Sequence, residues 1–129
     1  MNLIKLAALV IGLVFPLTVL AKNAELITQQ QFLTLQKSAT PAIVLDVRSA
    51  EEFNAGHIAG AINIAHSSIE ENIEQLTSFK DKTIVVYCRS GRRAGIVETY
   101  LATKGFQLKH LEGDMKGWQA ANLPVVTNP

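Results

Sequence analysis

The sequence predicts an α/β domain of three layers, with helices covering both faces of a central sheet. Short apolar runs at 42–45, 61–64 and 83–87 alternate with stretches whose apolar residues recur at helical spacing. Runs of that length without polar alternation suit strands buried on both faces, hence a parallel sheet. The composition agrees: 129 residues allow one domain, and 48% apolar with 18% charged residues excludes a disordered chain.

The elements follow in order along the chain. Lys5 precedes an apolar run over 6–20 that is interrupted by Pro16 and Thr18, and Val19-Leu20-Ala21 offers small residues where a signal peptidase cuts. Residues 1–21 are therefore expected to be a signal peptide cleaved after Ala21, leaving 22–129 as an exported, periplasmic domain. The run is shorter than the ~20 residues that span a bilayer, which disfavours an anchor. Residues 22–24 are expected to be a short tail.

Three helix starts show a hydroxyl followed three residues later by Gln or Glu: Thr28 with Gln31, Ser49 with Glu52, and Ser68 with Glu71. This is the capping-box pattern, and each instance precedes apolar residues at helical spacing, such as Phe32, Leu33 and Leu35, or Ile69, Ile73 and Leu76. A helix over 94–104 is expected to bury Ile96, Val97, Tyr100 and Leu101 and to end at Gly105 as a left-handed cap. A strand over 107–111 and a short helix over 115–121, with Trp118 inward, complete the pattern.

Charge and ligand chemistry exclude several functions. A net charge of +1 provides no footprint for nucleic acid. His57, His66 and His110 lack metal-ligand spacing, and one cysteine cannot build a thiolate cage, so no metal site is expected.

That single cysteine stands at the end of the 83–87 strand, followed by Arg89, Ser90, Gly91, Arg92 and Arg93. In parallel α/β sheets the reactive groups lie beyond the carboxyl ends of strands. Amides of a tight loop next to a helix N-terminus favour negative charge, Gly91 permits a closed turn, and three arginines add cationic field. A free thiol titrates near ~8.5, and such neighbours lower it, so Cys88 is expected to be a nucleophilic thiolate. No resolving cysteine is present for disulfide exchange, and no histidine stands in a signature of a hydrolase base. Attack on an anion remains, with phosphorus, arsenic or sulfur as the electrophile.

At this point the chain resembles the rhodanese superfamily of sulfurtransferases, in its single-domain form. The matching stretches are Leu45-Asp-Val-Arg48, Glu52-Phe53 with Gly56-His-Ile58, Gly60-Ala-Ile-Asn-Ile64, Tyr87-Cys-Arg-Ser-Gly-Arg-Arg-Ala94, Gly105-Phe106 and Leu111-Glu-Gly-Asp-Met-Lys-Gly-Trp118. The resemblance implies a five-stranded, mostly parallel sheet and chemistry that needs no metal or organic cofactor. It also implies that Cys88 takes sulfur from a small anionic donor such as thiosulfate and holds it as a persulfide. A thiophilic acceptor (cyanide, a thiol or a protein) then removes it. Arg89 to Arg93 would supply the amides and charges that bind the anion. Phosphatases of the same fold use a cysteine loop one residue longer; here Arg93 is five residues after Cys88 and Ala94 is six after, which favours sulfur over phosphate or arsenate. A carrier module that accepts sulfur but turns over poorly alone is the alternative from another class. The family often has Gly-Gly where this chain has Gly113-Asp114, and Asp114 is expected to cap the final helix.

Asp46 and Arg48 are expected beside the loop, either accepting and orienting loop groups or forming a strand-end turn and surface ion pair. Arg89 and Arg93 are the better candidates for anion contact, with Arg92 outward. His57 is expected to be a packed or turn-bonding residue, and His66 and His110 to be solvated. Phe106 and Trp118 are expected in the core, and Glu70, Glu71 and Glu74 on a solvated face.

Overall fold

A computed structural model describes residues 10–14 and 24–128. The expected leader at 1–21 lies outside these except for 10–14, which form no regular secondary structure, and its cleavage point is also outside them. No helix among the described residues is long and apolar enough to cross a membrane.

Five strands are joined by helices: β1 (Glu25–Ile27), α1 (Gln29–Gln36), β2 (Ile43–Asp46), α2 (Ala50–Ala55), β3 (Ile62–Asn63), β4 (Thr83–Tyr87), α3 (Arg92–Thr103), β5 (Gln107–Leu111) and α4 (Asp114–Ala120). Two 3-10 segments, His66–Ser68 and Ile73–Phe79, lie between β3 and β4. The sheet order is β1-β5-β4-β2-β3, and every pairing is parallel. This places β4 in the middle, where Ile84 to Tyr87 are fully buried.

Alternation along β4 divides the core. Ile84, Val86 and Cys88 face one cluster, with Val97 and Leu101 of α3 and Leu76 of the second 3-10 segment. Val85 and Tyr87 face the other, with Phe32 of α1 and Met115 and Trp118 of α4. Phe32 and Trp118 meet edge to face at 5.8 Å between centroids. Helices thus cover both faces, as the apolar runs require.

Two of the three capping boxes form: Thr28 with Gln31, and Ser49 with Glu52. The third does not. Ser68 ends a 3-10 turn, and the segment expected to be an α-helix is 3-10 over Ile73–Phe79 without a side-chain cap. Ile73, Leu76 and Phe79 recur every three residues, which aligns them along one side of a helix with three residues per turn. Glu70, Glu71 and Glu74 are exposed there, as expected.

The buried stripe of α3 is Ala94, Val97, Glu98 and Leu101 rather than the face that includes Ile96, which is 50% exposed. These positions have the spacing of one helical face, and a glutamate occupies one of them. α3 ends as foreseen in a left-handed Gly105 (φ 85°). The Gly105 and Phe106 N–H groups bond to the Ala102 and Leu101 carbonyls at 3.2 and 3.3 Å. β1 was not expected from the sequence. It has only three residues, of which Ile27 alone is buried, and it takes the outer edge beside β5.

Candidate active site

Cys88 is the first residue after β4, and α3 begins four residues later, so the 89–91 segment must turn tightly between a buried strand and a helix. Gly91 makes that turn as the N-terminal cap of α3 at φ 112°, a conformation that L side chains rarely adopt. A Cβ there would stand 3.2 Å from Asp114 Oδ2. The Gly91 N–H donates to Cys88 Sγ at 3.0 Å. A thiolate accepts such a bond more strongly than a thiol, and the α3 N-terminus adds partial positive charge.

The sulfur is less open than the sequence suggests. Cys88 is 1% exposed and packs in the α3-side cluster next to Ala94, because it continues the buried strand instead of leaving it. Of the loop amides, Gly91 N–H is the one within bonding distance of Sγ among the described residues. The loop backbone is also tied to the start of α4: Met115 N–H donates to the Cys88 carbonyl at 3.0 Å, and Lys116 N–H to that of Arg89 at 3.1 Å.

The three arginines differ. Arg89 and Arg92 are exposed, as is Ser90. Arg93 is partly buried and donates to both carboxylate oxygens of Glu52 at 2.6 and 2.9 Å. This fork holds Glu52 well below the usual carboxylate range, at about 2, and Glu52 in turn raises Arg93. Glu52 is also the capping-box residue of α2, so one carboxylate joins α2 to the loop. In the sequence Glu52 is marked by the capping pattern and by the Glu52-Phe53 stretch of the family resemblance, neither of which links it to Arg93.

Asp46 and Arg48 form a buried ion pair, not a surface one, with 0% and 5% exposure. Asp46 accepts from the Arg48 backbone N–H at 2.9 Å and from its guanidinium at 2.7 to 3.1 Å. Arg48 also donates to the Gly56 carbonyl at 2.7 Å. Burial opposes the charge on Arg48, but the bonds and charge of Asp46 outweigh it and raise the group. Beside them, burial and then the Asp46 charge push the Tyr87 phenol upward; its hydroxyl accepts the Ile58 N–H at 3.1 Å. His57 is packed as expected, stacked on Phe53 at 3.7 Å and bonded to the Phe53 carbonyl.

Two expectations need correction. Asp114 does not cap α4; the cap is Gly113, and Asp114 is buried with a left-handed φ of 53°. Its Oδ1 accepts the Cys88 N–H at 3.0 Å. His110 is not solvated. Its Nδ1 lies 2.7 Å from Glu98 Oε2, and its Nε2 lies 3.0 Å from Asp114 Oδ2. The bond to Asp114, then that to Glu98, raises His110 to about 10, against the desolvation that burial imposes. This chain of residues went unrecognised in the sequence because it joins three elements. Its visible signal in the sequence was Asp114, which stands where the resembling family often has a second glycine.

Similarity to known proteins accords with this geometry. The family described as Rhodanese-like domain matches residues 28–121. Escherichia coli YibN, described as uncharacterized, is 38% identical over 87 residues, which are 66% of this chain and 61% of that protein. The chain thus spans less than two thirds of that relative. The thiosulfate sulfurtransferase PspE of Escherichia coli is 33% identical over 72 residues, 56% of this chain and 69% of that one. A crystal structure of a rhodanese-related protein from Thermoplasma volcanium superposes with a TM-score of 0.71 at 30% identity, covering 79% of this chain and 97% of its own.

Proposed function

The chain belongs to the rhodanese-like domain family, and from that premise we propose that it is a sulfurtransferase in which Cys88 carries sulfane sulfur from thiosulfate, or a similar anionic donor, to a thiophilic acceptor. The Gly91 N–H bonded to Cys88 Sγ is the observation that carries this reading, since it aims a fixed donor at the atom that must hold negative charge. PspE, a relative named as a thiosulfate sulfurtransferase, supports the choice of donor.

The Cys88 thiolate attacks the outer sulfur of thiosulfate. A sulfur–sulfur bond forms at Cys88, the bond between the two thiosulfate sulfurs breaks, and sulfite leaves with the electron pair. In the second half, cyanide or a thiolate attacks the terminal persulfide sulfur, and Cys88 departs as the thiolate. One transfer is divided into two steps through a covalent intermediate. Gly91 N–H bonds the Cys88 sulfur. Arg89 on the loop and Arg92 at the start of α3, both exposed, attract the donor dianion, and Arg93, anchored by Glu52, fixes the first turn of that helix. No metal or organic cofactor takes part in this scheme.

Incubation with thiosulfate should add one sulfur atom to the intact mass, and added cyanide should yield thiocyanate; Cys88→Ser should do neither. Wild-type protein that gains no sulfur and forms no thiocyanate refutes the proposal. The 1% exposure of Cys88 favours one second reading, a carrier that shields its persulfide until a protein acceptor opens the loop. A stable sulfur adduct without steady turnover selects the carrier.

A further inference from the structure

We propose that Glu98, His110 and Asp114 form a buried positioning unit for Cys88, in which Asp114 holds the backbone of the nucleophile and His110 neutralises that carboxylate. The proposal rests on the reading of Cys88 as the nucleophile. Both oxygens of Asp114 are engaged: Oδ1 with the Cys88 N–H and Oδ2 with His110 Nε2, each at 3.0 Å. His110 Nδ1 faces Glu98 Oε2 at 2.7 Å, so both ring nitrogens face carboxylates, an arrangement that an imidazolium satisfies by donating to both. Glu98 and Asp114 are 7% and 4% exposed, where an unneutralised carboxylate is costly.

Two further observations tie this unit to the loop. Asp114 keeps a left-handed backbone (φ 53°), a strain that a non-glycine residue retains only where its surroundings impose it. Its Oδ2 lies 3.2 Å from where a Gly91 Cβ would stand, so the carboxylate sits directly against the loop glycine. Apolar residues fill such positions at least as favourably for stability, so three ionisable groups call for a role beyond packing. The role follows from charge. A bare carboxylate bonded to the Cys88 N–H would repel the thiolate or persulfide anion; His110, shared with Glu98, removes that repulsion while Asp114 keeps the strand end in place.

The charged groups that face His110 are Glu98 from α3 and Asp114 from the start of α4; its register partners across the sheet, Leu26 of β1 and Val86 of β4, carry none. Those that face Cys88 are Asp114 and, at longer range, Arg93 from α3.

The chain has a single cysteine, so thiolate ultraviolet absorbance against pH, with Cys88→Ser subtracted, reads Cys88 alone. His110→Asn removes the cation and should move this titration up by about one unit. Asp114→Asn keeps an acceptor oxygen for the Cys88 N–H but removes the nearest negative charge, and should move it down by a similar amount. Two shifts of opposite sign support the unit; a merely structural role would weaken the protein in both variants without that reversal. Absence of either shift, or shifts of one sign, overturns it. If His110→Asn does not fold, the sign for Asp114→Asn decides alone. The absorbance needs no sulfur donor, so opposite shifts in a protein that never gains sulfur would leave the charge coupling standing and remove sulfur transfer.

Discussion

Replacing Asp46 by alanine separates the two roles that the sequence allowed for Asp46 and Arg48. In the structure the carboxylate is fully buried and receives the Arg48 backbone N–H and three guanidinium contacts between 2.7 and 3.1 Å. Without it, the guanidinium, 5% exposed, keeps the Gly56 carbonyl at 2.7 Å and the Tyr87 ring at 5.6 Å. Breaking one half of a buried pair costs about 3–5 kcal/mol, because the other charge stays desolvated. At about 4 °C per kcal/mol for a domain of this size, Tm should fall by roughly 12–20 °C. Arg48→Met should cost a comparable amount, and the double variant less than the sum by about 1–3 kcal/mol, since neither charge is then stranded. Urea denaturation of the four proteins measures each quantity. Sulfur loading of Cys88, measured where all four remain folded, should change little, because the pair's side-chain hydrogen bonds run within 46–56 and its contact on β4 is with the Tyr87 side chain, on the opposite face of the strand from Cys88. Single costs below about 1 kcal/mol would place the pair among exposed ones and refute the reasoning. So would strict additivity. Loss of loading in fully folded Asp46→Ala would show that the carboxylate serves the loop directly.

Three other outcomes are expected. Gly91→Ala forces a side chain into φ 112° and against Asp114 Oδ2, so it should cost about 1–3 kcal/mol in urea denaturation and abolish sulfur loading. His110 is raised from 6.5 to about 10 in the folded state, so its contribution is fully present below about 6.5 and lost as pH rises through about 10. Glu52 is lowered from 4.5 to about 2, so its contribution is present above about 4.5 and lost as pH falls through about 2. Denaturation midpoints against pH should therefore be highest between these limits, and His110→Asn should flatten the alkaline side. Finally, if residues 1–21 act as the proposed leader, protein recovered from the periplasm should begin at Lys22; recovery of the intact chain from the cytoplasm would refute export.

How much could be read from the sequence depended on how local the cause was. The β4 and β5 strands match their expected bounds because each is a short run closed by a turn signal. The Thr28 and Ser49 capping boxes form because both partners lie within one helical turn. The third box failed where apolar residues repeating every three competed with the cap and produced 3-10 structure. β1 was invisible because a three-residue strand with one buried side chain has no period. The Cys88 loop was legible because its residues are contiguous. The Glu98–His110–Asp114 chain was not, because no periodicity, cap or turn signal links a helix glutamate to a strand-end histidine and the aspartate four residues beyond it.

Counting charges along the chain also misleads about the field at Cys88. The sequence places three arginines within five residues of the cysteine, which suggests a strongly cationic loop. In the structure Arg93 is paired with Glu52, so its charge is largely spent on holding α2 against α3. The Asp114 carboxylate, absent from that count, bonds to the cysteine backbone itself. The field at Sγ is then set by the Gly91 N–H, the α3 N-terminus, Arg93 at longer range and the balance between Asp114 and His110, while Arg89 and Arg92 act outward, on an approaching anion. Such outward charges steer encounter and are screened by salt, whereas buried pairs are screened far less. Raising ionic strength should therefore slow sulfur loading from thiosulfate while leaving the thiolate titration of Cys88 nearly unchanged. Arg89→Gln should weaken that salt dependence without moving the titration. A titration that moves with salt as strongly as the loading rate would mean that the exposed arginines, not the buried network, set the charge state of the sulfur.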